Sequence, residues 1–277
     1  MVTELFEVLQ YGFMQNALIA GTVASIICGL VGVFIVLKRI TFISGGIAHT
    51  SFGGIGLGYL LSVNPIITAV FFSLVSAIGI GVISKRSHLH EDTVIGVIWA
   101  MGMSLGVIFI GMSPGYAPDL MSYLFGNILA VTSWDIQMML LLAAIISITI
   151  SAFFKEFVVI SFDEEYARAM GIPTEALYLL LLCLVALTVV LLIKVVGIIM
   201  VIALLTIPAA TASQYSKDIK KIIALSIAFG IFFVISGLWL SYLLDIASGA
   251  TIVLIAGSTF LLSIGVSEKL RGAGLER

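Results

Sequence analysis

The residue best equipped for chemistry in this sequence is His49, set in Ser44-Gly45-Gly46-Ile47-Ala48-His49-Thr50-Ser51-Phe52-Gly53-Gly54. Neutral imidazole is the commonest metal ligand and titrates near neutral pH. The stretch around it is apolar enough to lie in lipid, where an ionisable side chain marks a path for an ion or a partner on another helix. Two readings of His49 therefore stand: a ligand along a path, or a packing histidine bonded to a neighbouring helix. Thr50 and Ser51 add hydroxyls, and Gly54-x-x-x-Gly58 lets another backbone come close.

Four other groupings carry polar chemistry. In Thr206-Ile207-Pro208-Ala209-Ala210-Thr211, Pro208 removes a helix hydrogen bond and frees a carbonyl. Within a membrane such backbone is tolerated where protein or a wet cavity satisfies it, so Thr206 and Pro208 either line a path or kink a packed helix. Asp245, in Leu244-Asp245-Ile246-Ala247-Ser248-Gly249, is placed to attract a cation at a mouth or to sit in an exposed turn; Asp119 has the same two readings. Ser161-Phe162-Asp163-Glu164-Glu165-Tyr166-Ala167-Arg168-Ala169-Met170-Gly171-Ile172-Pro173 predicts a short polar helix ending near Gly171, with Pro173 opening the next. Outside the bilayer such a helix either docks on a soluble partner or serves as a solvated connector. His88-x-His90-Glu91-Asp92 reads as a solvated loop, because i and i+2 do not share a helix face.

No phosphate-binding G-x-x-x-x-G-K-[ST], dinucleotide fingerprint or H-E-x-x-H zinc motif is present. Cys28 and Cys183 lie in apolar runs and read as small core hydrophobes. Uphill movement of a substrate would need an ion gradient or a separate ATPase.

The elements that must position these residues are membrane helices. Of 277 residues, 61% are hydrophobic and 10% charged, and the mean hydropathy is +1.25. A soluble domain is about 25% charged, and a soluble fold cannot hide this much apolar surface. The net charge of −2 excludes a polybasic nucleic-acid surface. A span needs about 20 apolar residues. Nine runs qualify: 12–37, 46–63, 66–84, 93–111, 134–154, 176–193, 195–212, 222–244 and 249–266. A shorter run at 118–131 is a candidate re-entrant or interfacial helix, which gives eight to ten membrane segments. The predicted fold class is an all-α polytopic helical bundle, one transmembrane domain over 1–277.

Lys and Arg set the orientation. With nine spans and the N-terminus outside, 12 of the 13 basic residues fall inside and only Lys194 falls outside. Glu4 and Glu7, without a basic n-region, predict that the first span is its own insertion signal.

The sequence resembles the ABC-3 family, membrane permeases of zinc, manganese and iron ABC importers. The resemblance covers about residues 10–266 and rests on Lys38-Arg39, the glycine-rich stretch around His49, Glu91-Asp92-Thr93-Val94-Ile95-Gly96 and Leu124-Phe125-Gly126-Asn127-Ile128-Leu129. It rests also on 161–173, Val196-Gly197, 205–212 and Ser248-Gly249-Ala250-Thr251-Ile252-Val253. It implies a plasma- or inner-membrane permease that pairs as a homodimer, joins cytoplasmic ABC ATPase subunits and receives metal from an extracytoplasmic binding protein. ATP hydrolysis then lies on another chain, and no covalent cofactor is implied. Asp163, Glu164, Glu165, Ala169 and Gly171 match the segment that contacts the ATPase. His49 matches the histidine of the family's glycine–aspartate–x–x–x–histidine stretch, and Asp245 is a second candidate metal contact. Ser44-Gly45 stands where the family has Gly-Asp, so a carboxylate is missing. Imidazole without a hard oxygen favours Zn²⁺ over Mn²⁺ as the transported ion. Alternatives are a manganese or iron permease of the same family, or a secondary transporter or channel. The latter would need intramembrane acidic residues, which are scarce here.

Overall fold

The structure is a computed structural model that describes residues 10–87, 89–114 and 126–272, the side chains of 267–272 excepted. Its helices, in chain order, are α1 (Gly12–Leu37), α2 (Phe42–Leu60), α3 (Pro65–Arg86), α4 (Glu91–Met112) and α5 (Ser133–Ala152). There follow α6 (Phe154–Phe162), α7 (Glu164–Ala169), α8 (Thr174–Ser213), α9 (Ile219–Leu244) and α10 (Ser248–Gly272). Among the described residues there is no strand, and a single 3-10 turn covers Ile128–Ala130. That turn lies in the described part, 126–131, of the run at 118–131; Asp119, Leu124, Phe125 and His88 lie outside the described residues.

Helix ends are set locally. Asn64 accepts the Ile66 N–H at 2.9 Å with Pro65 at the first helical position, a combination that starts α3. Thr132 and Asp135 exchange hydrogen bonds in a capping box that starts α5. Asp163 caps α7 through Tyr166 N–H at 2.8 Å, and Asp218 caps α9 through Lys220 N–H at 2.9 Å.

Among the described residues, seven helices are long and apolar enough to cross a membrane. Two details reconcile that number with nine passes. The glycine-rich α2 is not among the seven, although it is buried along nearly its whole length. And α8 has 40 residues, about 60 Å if straight, twice the hydrocarbon thickness. It does not run straight. Gly197 breaks it with φ 79° and ψ 162°, a conformation open in practice only to glycine.

The neighbours of α8 show that the chain reverses at this break. Tyr178 lies under Lys38, at the end of α1. Gly197 touches the backbone of Gly126, close to where Asn16, at the start of α1, donates to Val131 O at 3.1 Å. Beyond the break, the Leu205 carbonyl presses on Gly32, back toward the Lys38 end. Residues 174–196 and 198–213 are thus two passes. Pro208, read from the sequence as lining a path or kinking a packed helix, stays within helical backbone; the break is eleven residues earlier, at the glycine.

α1 and α8 form the middle of the bundle. α1 is lined with Ala17, Ala20, Gly21, Ala24, Gly29 and Gly32, all buried, so neighbours approach its backbone closely. α3, α4, α5, α9 and α10 surround them and expose apolar side chains such as Phe71, Val107, Ile148, Phe232 and Leu261. Such a surface suits lipid rather than water. α2 is wedged between α3 and α4: a Cβ on Gly54 would meet the Thr68 carbonyl oxygen at 2.6 Å, and one on Gly56 the Gly106 carbonyl oxygen at 2.6 Å.

The connections place Lys38, Arg39, Lys85, Arg86, Lys155, Arg168, Lys217, Lys220 and Lys221 at one end of the bundle. Lys194 is the exception at the other end, and it is paired there. Its Nζ is 2.6 Å from Asp135 Oδ1, beside Asn64 and Ile66 at the start of α3.

Candidate functional site

His49 lies in the half of α2 nearer the Lys38 end. Its imidazole is stacked on the indole of Trp99, from α4, with ring centroids 4.4 Å apart and planes 6° apart. The Trp99 Nε1–H donates to Met103 Sδ at 3.2 Å, one turn further along α4, which fixes the indole. His49 Nδ1 is buried, and among the described residues it has no hydrogen-bond partner. A buried polar atom without a partner is uncommon and calls for an explanation such as an ion, a water or a functional role.

Beside this pair lies a cavity of about 410 Å³. It is lined by Thr41, Phe42, Gly45, Trp99, Ile202, Thr206 and Phe260, among others. Gly45 stands four residues before His49, on the same helical face. A Cβ at Gly45 would meet Ile202 Cδ1 at 3.7 Å and Trp99 Cζ3 at 3.9 Å, ordinary contacts. Gly45 is therefore not required by packing, in contrast to Gly46 beside it, whose Cβ would run into the Ile95 side chain. The missing carboxylate leaves space, not a filled site.

The other expected path residues divide. Thr206 lines the cavity, and its hydroxyl donates back to the Ile202 carbonyl at 2.8 Å. Pro208 is buried two residues on. Thr50 and Ser51 face elsewhere. Thr50 packs on Gly102 and donates to the Gly46 carbonyl at 2.6 Å; Ser51 donates to the Ala48 carbonyl at 2.6 Å and faces Val190 and Ile193 of α8. Their hydroxyl protons are committed to backbone. Asp245 is far down the bundle from His49, at the end of α9. It is an exposed left-handed C-cap with φ 53°, and its N–H is given to Ser241 O. Among the described residues no three of His, Cys, Asp and Glu gather to hold a metal ion. A site of three or more such ligands within one copy is therefore absent among them; His49 offers one nitrogen.

At the Lys38 end, 161–173 holds the expected short polar helix before Gly171, with Pro173 at the start of α8, and Ser161 and Phe162 belong to the preceding α6. α6 continues from α5 to Phe162, Asp163 breaks the run, and α7 is a six-residue helix closed by Gly171 at φ 80°. Asp163, Glu165, Ala169 and Gly171 are exposed. Glu164 is turned inward, onto Lys85, Lys38 and Arg168. Sequence reading missed Phe162, Tyr166 and Met170, which are 67%, 56% and 62% exposed. They recur every four residues, a signal that was open to view but hidden by the density of charges around it.

The profile of the ABC 3 transport family matches residues 10–267. An uncharacterized membrane protein of Synechocystis is 46% identical over 95% of this chain and 94% of its own. The manganese transport system membrane protein MntC of Listeria innocua is 37% identical over 94% of this chain and 93% of its own. The structure of PsaBC from Streptococcus pneumoniae in complex with Fab superposes with a TM-score of 0.87, at 37% identity, covering all of both chains. With a match over nearly its whole length and relatives well above 30% identity, this chain belongs to the ABC 3 transport family.

Proposed function

We propose that the chain is the membrane permease of an ATP-driven importer of a divalent metal ion, one permease domain spanning 1–277. The observation that carries this reading is the match to the ABC 3 transport family over residues 10–267, with relatives named as manganese transport permeases. The exposed outer face of α6 and α7, with Phe162, Tyr166 and Met170 beside Glu165, supports docking of a cytoplasmic ATPase there. The basic end of the bundle faces the cytoplasm in this reading and Asp245 faces out, toward an extracytoplasmic binding protein. Two copies pair so that His49 and the open cavity at Gly45 border the path.

Zinc is the favoured ion on donor chemistry. His49 supplies imidazole and Gly45 supplies no carboxylate, a set that suits Zn²⁺ better than Mn²⁺. A single nitrogen per copy also fits transport, since a closed four-ligand site would hold zinc too tightly to release it. Manganese is the second reading, favoured by the names of relatives at 34–37% identity. The test is uptake into proteoliposomes holding the permease with its ATPase, the binding protein outside, and Zn²⁺ and Mn²⁺ in competition. ATP-dependent accumulation supports the reading and its preference names the ion. A complex that assembles and hydrolyses ATP yet moves neither ion overturns it.

A further inference from the structure

Five helix ends meet around Glu164. Lys38, just past α1, donates to the Ile160 carbonyl of α6 at 2.9 Å and lies 3.7 Å from Glu164 Oε2. Lys85, in the last turn of α3, binds Glu164 Oε1, and Arg168 Nη2 lies 3.6 Å from the same oxygen. Both lysine ammonium groups also sit over the ring of Tyr178, at 5.3 and 5.1 Å. Tyr178, buried at the start of α8, donates its hydroxyl proton to Glu91 Oε1 at 3.1 Å, in the first turn of α4. Burial alone would raise the Glu164 carboxyl, but the Lys85 hydrogen bond and the charges of Lys85, Lys38 and Arg168 hold it below the usual range.

A lone surface ion pair is worth little. This cluster differs because it is partly buried, shared among several charges and set under an element that has little else to hold it. α7 has six residues, too few for stability of its own. Ala167 is its one fully buried side chain, while Glu165, Tyr166, Arg168 and Ala169 are exposed. Glu164 therefore points opposite to the face available for docking.

We infer that Glu164 is a positioning residue for transport: it joins α7 to the ends of α1, α3, α4 and α8, so that movement of α7 is passed into the bundle. α4 is the member that leads on to the path, since it carries Glu91 at its start and Trp99, stacked on His49, two turns later. The inference rests on the reading that an ATPase docks on α6 and α7. It departs from the expectation that Glu164 itself touches the ATPase.

Two measurements test it with Glu164→Gln, Lys85→Gln and the double variant. Hydrogen exchange of the permease purified without ATPase reads the joint itself. Glu164→Gln is expected to speed exchange of the α7 amides, and an unchanged rate overturns the inference. In proteoliposomes, Glu164→Gln is expected to keep the ATPase bound and hydrolysing, while metal moved per ATP falls about fivefold or more. The double variant is expected to lose no more than the worse single one, because both remove the same interaction. Unchanged coupling or additive losses overturn the inference. If Glu164→Gln releases the ATPase while α7 exchange is unchanged, Glu164 is a direct contact and the inference fails, though the docking reading survives. If the wild-type permease binds no ATPase, the docking reading fails and takes this role of Glu164 with it.

Discussion

The imidazole of His49 lies flat against the indole of Trp99, centroids 4.4 Å apart, and the two residues come from adjacent helices, α2 and α4. Stacking of this kind orients a ring without using either of its nitrogens. His49 Nδ1 is left buried with no hydrogen-bond partner among the described residues. Among the described residues no hydrogen bond holds Nδ1 as it would in a histidine bonded to a neighbouring helix, which favours the path reading over the structural one.

His49→Ala is therefore expected to lower metal uptake while the permease still assembles with its ATPase. Trp99→Ala should act in the same direction by releasing the ring, with a loss of about tenfold, as is usual when the group orienting a metal ligand is removed. Trp99→Phe keeps an aromatic face and should lie near wild type. The measurement is uptake rate against metal concentration for the three variants. Wild-type kinetics in His49→Ala would remove His49 from the path.

The vacant space at Gly45 makes a gain of function testable. Gly45→Asp places a carboxylate four residues before His49, and its Cβ meets nothing closer than 3.7 Å. The variant meets no steric obstacle at Cβ, and the cost of burying a carboxylate there is read from its thermal stability beside wild type. It adds a hard oxygen beside imidazole, which shifts the donor set toward Mn²⁺. The Mn²⁺/Zn²⁺ uptake ratio in competition is expected to rise. An unchanged ratio, with the protein intact, would show that position 45 does not face the ion.

Much of this fold was legible because its signal is compositional. Apolar runs with basic ends specify membrane passes and their order, and the runs at 176–193 and 195–212 meet at residue 194, three residues before the break at Gly197. The agent of that reversal carries no such signal. Pro208, which intrinsic preference marks for a kink, keeps helical backbone. Gly197 looks ordinary among 27 glycines until its backbone meets that of Gly126. The candidate site was legible only in part. His49 stands out as the ionisable residue of an apolar stretch, but its partner Trp99 is fifty residues away, and no local pattern joins them. Thr50 and Ser51 misled for the opposite reason: adjacency in sequence is divergence on a helix, so neighbours of His49 point to α4 and α8 rather than to the cavity. Glu164 shows the same divergence: it lies against Lys85, Lys38 and Arg168, while Glu165 and Tyr166 beside it are exposed.

Gly197→Ala tests the reversal. At φ 79° and ψ 162° a Cβ is strained at about 1–3 kcal/mol, and here it also disturbs a site where Gly126 is in backbone contact. Folded yield and thermal stability in detergent should both fall, monitored by size-exclusion elution after heating. Pro208→Ala, in backbone that is already helical, should be neutral or stabilising by the same assay. If the two variants behaved alike, the break would not be what holds the two passes together.

The joint at Glu164 has a pH signature whose sign follows from its surroundings. Its carboxyl is held below the usual glutamate value: burial opposes ionisation, but the Lys85 hydrogen bond and the neighbouring cations outweigh it. A carboxyl lowered in the folded state stabilises that state above its unfolded pKa, about 4.3, and the contribution disappears as pH falls through the lower folded value. Protection of the α7 amides, corrected for intrinsic exchange, should be constant from neutral pH to about 5 and fall below about 4. Glu164→Gln cannot ionise, so its protection should be low and flat over the same window. The comparison separates the joint from general acid unfolding, which would lower protection in α1 and α8 together with α7 and in both proteins alike. A fall that is equally steep in Glu164→Gln would assign the acid response to another carboxylate.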